Sequence, residues 1–419
     1  MRPYLILLLS LFLAALRASA QDTTASAEPQ FLIESITVEG GSRGSERIVV
    51  SESGLKAGQT YAEGELRAAT SRIQRLPFVI ATDFRLAKGS SFGRYILVIA
   101  IQQMKPVFLQ AESTTLWSLD QHYEPQPGGD LVIEERLNQM RSNRLAAGAR
   151  QFIGPAGMLT FAAERVEHRN DRYTLSYSQY DLFGTRASIT ALVSYLEEPG
   201  ARGRGAPGDR YDWHFRDNLT YELIGVVPLG RNDSLRASWQ RSDRPVSYFT
   251  VVPETGALQH NLRSLPEIRK ELFWIHDTTN DPLFPTRGMR ITAGATRSDS
   301  PTFSFVNLGR VKMDELKATI EQSFPLTQRQ ALTTGAEGLD FDRMVRKYDL
   351  YARYSFDLWG RDRTVKNGDL RLELSADRIF TSIREEPFFA DSTVGVGLVF
   401  RNEWGVLRLT GKYNAWRMR

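Results

Sequence analysis

Past its first twenty residues this chain contains no apolar run approaching the ~18 to 20 residues a helix needs to cross a bilayer. From residue 145 to residue 419 it is instead a succession of short segments in which apolar and polar residues alternate. Strand side chains have a period of two, so alternation sorts them onto opposite faces of a sheet. In residues 369–377, Leu370, Leu372, Leu374 and Ala376 share one face, and Arg371, Glu373, Ser375 and Asp377 share the other. Residues 187–195, 290–295 and 316–324 repeat the division. One face suits lipid and the other water, which is the pattern of a transmembrane β-barrel. A soluble β-sandwich also alternates, but the number of segments and the N-terminus favour the barrel.

Residues 1–20 carry Arg2, an apolar stretch over 4–16 and Ala18-Ser19-Ala20 ahead of Gln21, the layout of a secretory signal peptide. Residues 21–30 read as a linker. Cysteine is absent, which excludes disulfides, thiolate metal sites and a lipidated N-terminal cysteine. The formal charge of +4 falls to +2 once Arg2 and Arg17 leave with the signal, which gives no support to nucleic-acid binding. Aromatics at 11% are compatible with interfacial girdles.

Residues 31–103 have a different periodicity. A strand over 31–38 leads through Gly40 and Gly41 to a short helical piece near 46–53. A second helix over 62–76 follows, with Leu66, Ala69, Ile73 and Leu76 on one face and Pro77 as its stop. Two strands, 79–86 and 94–102, complete a β-α-α-β-β order. Residues 104–144 read as a linker, with a short helix or plug over 131–144. Fourteen alternating runs then form the barrel of residues 145–419, and because counts of this kind err by a pair, about 12 to 16 antiparallel strands are expected. Longer loops are expected near 197–210, 242–266 and 379–392.

The β-α-α-β-β order, with its Gly54 to Gly58 turn and the segment from Ile73 to Phe78, resembles a POTRA domain. Such a sheet has an open edge that can accept an extended chain as an added strand, although a spacer or plug is the alternative. The segment 277–288, with Asp277, Asp281, Phe284, Pro285, Thr286 and Gly288, resembles the signature of the outer membrane protein 85 superfamily, which includes the BamA and TamA assembly barrels and the TpsB secretion pores. Pro285 would rigidify the hairpin end, and Gly288 would allow close backbone approach. Gly395, Gly397 and Gly405 resemble the family's closing hairpin. The chain is thus similar to a divergent, short member of that superfamily.

The resemblance implies an outer-membrane location with the POTRA domain in the periplasm. The implied partners are an unfolded outer-membrane or secreted client, the lipid bilayer and accessory periplasmic proteins. No cofactor is implied. It also implies a pore-loop latch, with Arg346 in Val345-Arg346-Lys347-Tyr348 against Asp377, where a solvated loop charge is the competing reading. Two other classes remain. A barrel hydrolase would build on His276 and Asp277, but the motif already accounts for Asp277, and no Gly-x-Ser-x-Gly occurs. A passive channel or structural barrel would need no POTRA domain.

Overall fold

A computed structural model describes residues 29–125, 131–166, 170–197, 219–251, 258–304, 307–342, 345–359, 368–383 and 389–418. The signal-peptide reading and the 197–210 loop, beyond residue 197, lie outside the described residues.

The N-terminal unit runs β1 (Gln30–Glu39), α1 (Arg43–Ser53), β2 (Thr60–Ala62), α2 (Glu63–Gln74), β3 (Val79–Lys88) and β4 (Arg94–Gln103). Its sheet order is β2-β1-β4-β3, with β1 and β4 parallel and the outer pairs antiparallel. The sequence missed β2, which is only three residues long and pairs Thr60 to Ala62 with the start of β1. Gly54 ends α1 at φ +65°, donating its N–H to the Ser51 carbonyl. The Glu65 carboxylate caps α2 by accepting from the Ala62 N–H at 3.0 Å. Leu66, Ala69, Ile73 and Leu76 are all buried, as their spacing requires, against Ile33, Ile48, Leu97 and Ile99.

Fifteen strands close the barrel. They are β5 (Val107–Pro125), β6 (Leu131–Ile153), β7 (Gly157–Val166), β8 (Asn170–Leu182), β9 (Ala187–Glu197), β10 (Leu219–Pro228), β11 (Asp233–Val251) and β12 (Leu258–Asp277), then β13 (Gly288–Ser304), β14 (Asn307–Pro325), β15 (Gln330–Phe341), β16 (Val345–Trp359), β17 (Asp369–Ile383), β18 (Phe389–Asn402) and β19 (Gly405–Met418). Every neighbour is antiparallel except at the seam, where β19 and β5 run parallel over ten residue pairs, from Gly405 with Leu109 to Asn414 with Ser118. An odd number makes that direction unavoidable, since the first and last strands then point the same way.

Three expectations are corrected. The described residues of 107–144 are strand rather than linker or helix, with β5 and most of β6 in them, so the barrel begins at Val107 rather than near residue 145. The outward positions of this hairpin include Ser113 and Thr115 on β5, opposite Asn143 and Arg141 on β6, so the faces lack polarity contrast and the alternation disappears. Much of the 242–266 loop is also strand, because β11 and β12 stay paired out to Val251 and Leu258. Likewise β17 reaches Ile383 and β18 starts at Phe389, which shortens the loop expected over 379–392.

Elsewhere the facing holds. On β18, Val394, Val396 and Leu398 are 40–50% exposed on the outer surface, whereas Val399 on the inner face is fully buried. The same outer surface carries Leu175, Leu223, Leu272, Leu316, Leu350, Leu374 and Leu409. Inside, large rings lie over glycines of the paired strand. A Cβ on Gly294 would stand 2.4 Å from the Phe273 ring, and one on Gly335 would meet the Tyr351 ring at 2.3 Å.

The N-terminal unit is docked on one end of the barrel, here called the near mouth. Its core is continuous with the rim: Phe78 packs edge-to-face on Phe152 at 5.0 Å, and Ala156 and Met158 are buried in the same cluster. Arg150 donates to the Pro77 carbonyl at 2.7 Å, Arg47 pairs with Asp181 and Ser51 donates to the Thr185 carbonyl at 3.0 Å. Arg231 pairs with Glu65, and Lys105 donates its N–H to the Glu403 carbonyl at 2.7 Å.

Candidate functional site

The turn from β12 to β13 is built by its own side chains. Asp277 Oδ1 accepts from the N–H and Oγ1 of Thr279 at 2.9 and 2.6 Å. Asn280 Oδ1 accepts from the N–H groups of Thr286 and Arg287 at 3.0 and 3.2 Å. Asp281 Oδ1 accepts from the N–H groups of Leu283 and Phe284 at 2.8 and 2.9 Å. Short polar side chains here take over the backbone donors that a longer turn leaves open. Gly288 closes the turn at φ +99°, and a Cβ there would stand 2.3 Å from the Thr278 carbonyl oxygen. Pro285 is buried within the turn.

The turn folds inward and meets the far wall. Both oxygens of Asp281 accept from Arg401 Nη1 on β18, at 3.1 and 2.9 Å, and Arg401 Nη2 binds Asp369 on β17 at 2.8 Å. The Phe284 ring, 4% exposed, lies between the guanidinium groups of Arg371 and Arg401, each 4.5 Å from its centre. Arg371 in turn donates to Asp357 at 2.7 Å. Strands β14 to β17 separate β13 from β18 in the barrel order. At ~4.8 Å per strand the contact therefore bridges about 24 Å of wall. The turn thus ties β12 and β13 to β17 and β18 across the near mouth.

The N-terminal unit reaches the same turn. Arg75, just past α2, lies 3.7 Å from Asp277 Oδ2 and 3.4 Å from the Thr279 carbonyl oxygen. Burial lowers the Arg75 pKa, with Asp277 opposing the shift. Near it, burial raises the Glu52 carboxyl to about 7 against the attraction of Arg186, Arg72 and Arg75. Arg72 is lowered to about 10, chiefly by burial and then by repulsion from Arg186.

Between this unit and the mouth lies a cleft of about 1040 Å³. The motif turn, the β14–β15 turn and residues 80–84 of β3 line it. A strand that presents five consecutive residues to one space is turned edge-on to it, because a face would show only every second residue. β3 is an outer strand of its sheet.

The structure separates the two latch residues. Arg346 lies within β16, not in a loop, and pairs with Asp340 at 3.4 Å, whereas Asp377 pairs with Lys412 at 3.3 Å. Arg346 stands opposite Ser382 on β17, five positions from Asp377. An odd offset in a strand places the two side chains on opposite faces, so no contact can form. Of the closing-hairpin glycines, Gly395 and Gly397 lie on the inner face beside Val399, and Gly405 sits at the seam, where a Cβ would be 1.6 Å from the Leu109 carbonyl oxygen. His276 turns from Asp277 and its Nδ1 lies 3.1 Å from Asp233. Among the described residues no group of three or more His, Asp or Glu could hold a metal, and no helix is long and apolar enough to cross a membrane.

Sequence reasoning found the motif turn but missed Arg401, Asp369, Asp357 and Arg75 as its partners. The only available signal was that Arg371 and Asp369 fall on the polar side of the alternation in β17.

No protein-family model and no curated protein sequence matches the chain. Among solved structures it is similar to BamA from Haemophilus ducreyi lacking POTRA domains 1–3, at 10% identity and TM-score 0.43, covering 93% of this chain and 82% of that one. CdiB from Acinetobacter baumannii gives 11% identity and TM-score 0.45, covering 88% of this chain and 70% of that one. CdiB from Escherichia coli gives 13% identity and TM-score 0.38, covering 95% and 89%. At such identities and scores the functional argument rests on this chain's own geometry.

Proposed function

We propose that this protein is an outer-membrane barrel that inserts or exports other proteins, using its N-terminal unit as a POTRA-like domain in the periplasm to capture an unfolded client. In this reading residues 1–20 are a secretory signal. The outward apolar side chains on successive strands support the membrane location, because a closed barrel leaves no lipid-facing backbone edge. The observation that carries the functional reading is the cleft, in which the outer edge of β3, with its Ile80 carbonyl already accepting from Gln74 Nε2, stands against the near mouth. A client added to β3 as a strand gains main-chain hydrogen bonds without a required sequence and is delivered at the barrel entrance. The motif turn holds that entrance in shape, and Arg75 ties it to the capturing domain. The chain carries no phosphate-binding loop, so nucleotide does not drive the process.

A second reading is a capped structural barrel or passive channel, favoured by the continuous core joining the N-terminal unit to the rim. Quantitative proteomics of outer membrane and culture medium after depletion separates the possibilities. Loss of several unrelated barrels from the membrane supports insertion, and loss of one protein from the medium supports export. If neither compartment changes, the proposed function is wrong and the capped barrel is the better account.

A further inference from the structure

Resting on the reading of β3 as the capturing edge, we infer that the cleft selects extended segments bearing acidic side chains. Its charges are arranged asymmetrically. The wall carboxylates Asp281, Asp357 and Asp369 are each held by a guanidinium, from Arg401 or Arg371, behind the Phe284 ring. Asp83, on the strand edge itself, is already engaged. Of the exposed cations that line the cleft, Arg67 on α2 is paired with Glu63, and the others are Arg287, in the motif turn, and Arg329, in the turn between β14 and β15. Among the described residues neither of these two guanidinium groups has a partner, and both line the same cleft as residues 80–84. A strand laid on β3 projects every second side chain to one side of the sheet, and carboxylates placed there would be met by the long, flexible side chains of these turns while the backbone satisfies the edge. Neutral segments would bind through the backbone alone, and basic ones would be repelled.

The test uses the full-length protein in lipid nanodiscs and labelled peptides of about ten residues alternating Thr with Glu, Gln or Lys, read by fluorescence anisotropy. Two exposed ion pairs predict an affinity about tenfold higher for the Glu peptide than for the Gln peptide. High salt should erase the difference in the unmodified protein, which keeps the test independent of variant folding. The double variant Arg287→Gln, Arg329→Gln should bring the Glu peptide down to the affinity of the Gln peptide. Equal binding of Glu and Gln peptides, or a preference that survives both the variant and high salt, overturns the selectivity and leaves edge capture standing. Failure of all three peptides to bind overturns edge capture and the selectivity with it.

Discussion

Arg401 joins the motif turn to the wall of the near mouth. Its side chain is 8% exposed, and it joins the motif turn to β17 through two carboxylates while stacking on Phe284. Removing one member of a buried ionic cluster leaves the others charged and unsolvated, which costs about 3–5 kcal/mol. Arg401→Gln should therefore lower stability by that amount in urea unfolding followed by heat-modifiable mobility, and Asp281→Asn should add little to it. Fully additive losses in the double variant would show that the two side chains are not coupled. Gly288→Ala should destabilise by a different route, since φ +99° and the nearby Thr278 carbonyl leave no room for a methyl group. Asp281, Phe284 and Gly288 were legible because they lie together in one turn. Arg401 was not, because it is 120 residues from Asp281 and meets it only across the lumen, a contact that no local period encodes.

At the scale of the strand, facing decides what a substitution does. Leu374 is 46% exposed on the outer face of β17 and pairs with Tyr354 and Val396 on the same face. Leu374→Arg should cost about 2–4 kcal/mol if the residue sits near the bilayer midplane. Glu373→Gln, on the inner face one position away, should leave heat-modifiable folding intact; equal defects in both variants would contradict the assigned facing. Where the two faces differ in polarity, as on β13, β17 and β18, the strand could be read from its residues. Where polar residues occupy both faces, as on β5 and β6, it could not. Those two strands are defined by pairing, over nineteen positions between Val107 and Pro125, rather than by hydrophobic contrast.

For the whole molecule, the central relation is the docking of the N-terminal unit on the near mouth, and Glu52 makes it sensitive to pH. Its carboxyl is raised to about 7 mainly by burial between α1, α2 and the β8–β9 turn, with Arg186, Arg72 and Arg75 opposing the shift. Freed from this interface, the group should titrate near its ordinary value of 4.5. The docked state then binds the proton more tightly, so docking is strongest below about 4.5, weakens as pH rises toward 7 and levels off above it. Hydrogen exchange of the α1 amides, corrected for intrinsic rates, should show less protection at pH about 8 than at about 5. Glu52→Gln should flatten that difference, because a neutral amide has no proton to exchange for stability, while keeping the contacts of Arg47 with Asp181 and Phe78 with Phe152. A slope retained in the Gln variant would place the titration elsewhere. A slope that disappears would mean that one partly buried carboxylate sets how firmly the N-terminal unit, and through Arg75 the motif turn, is held against the barrel.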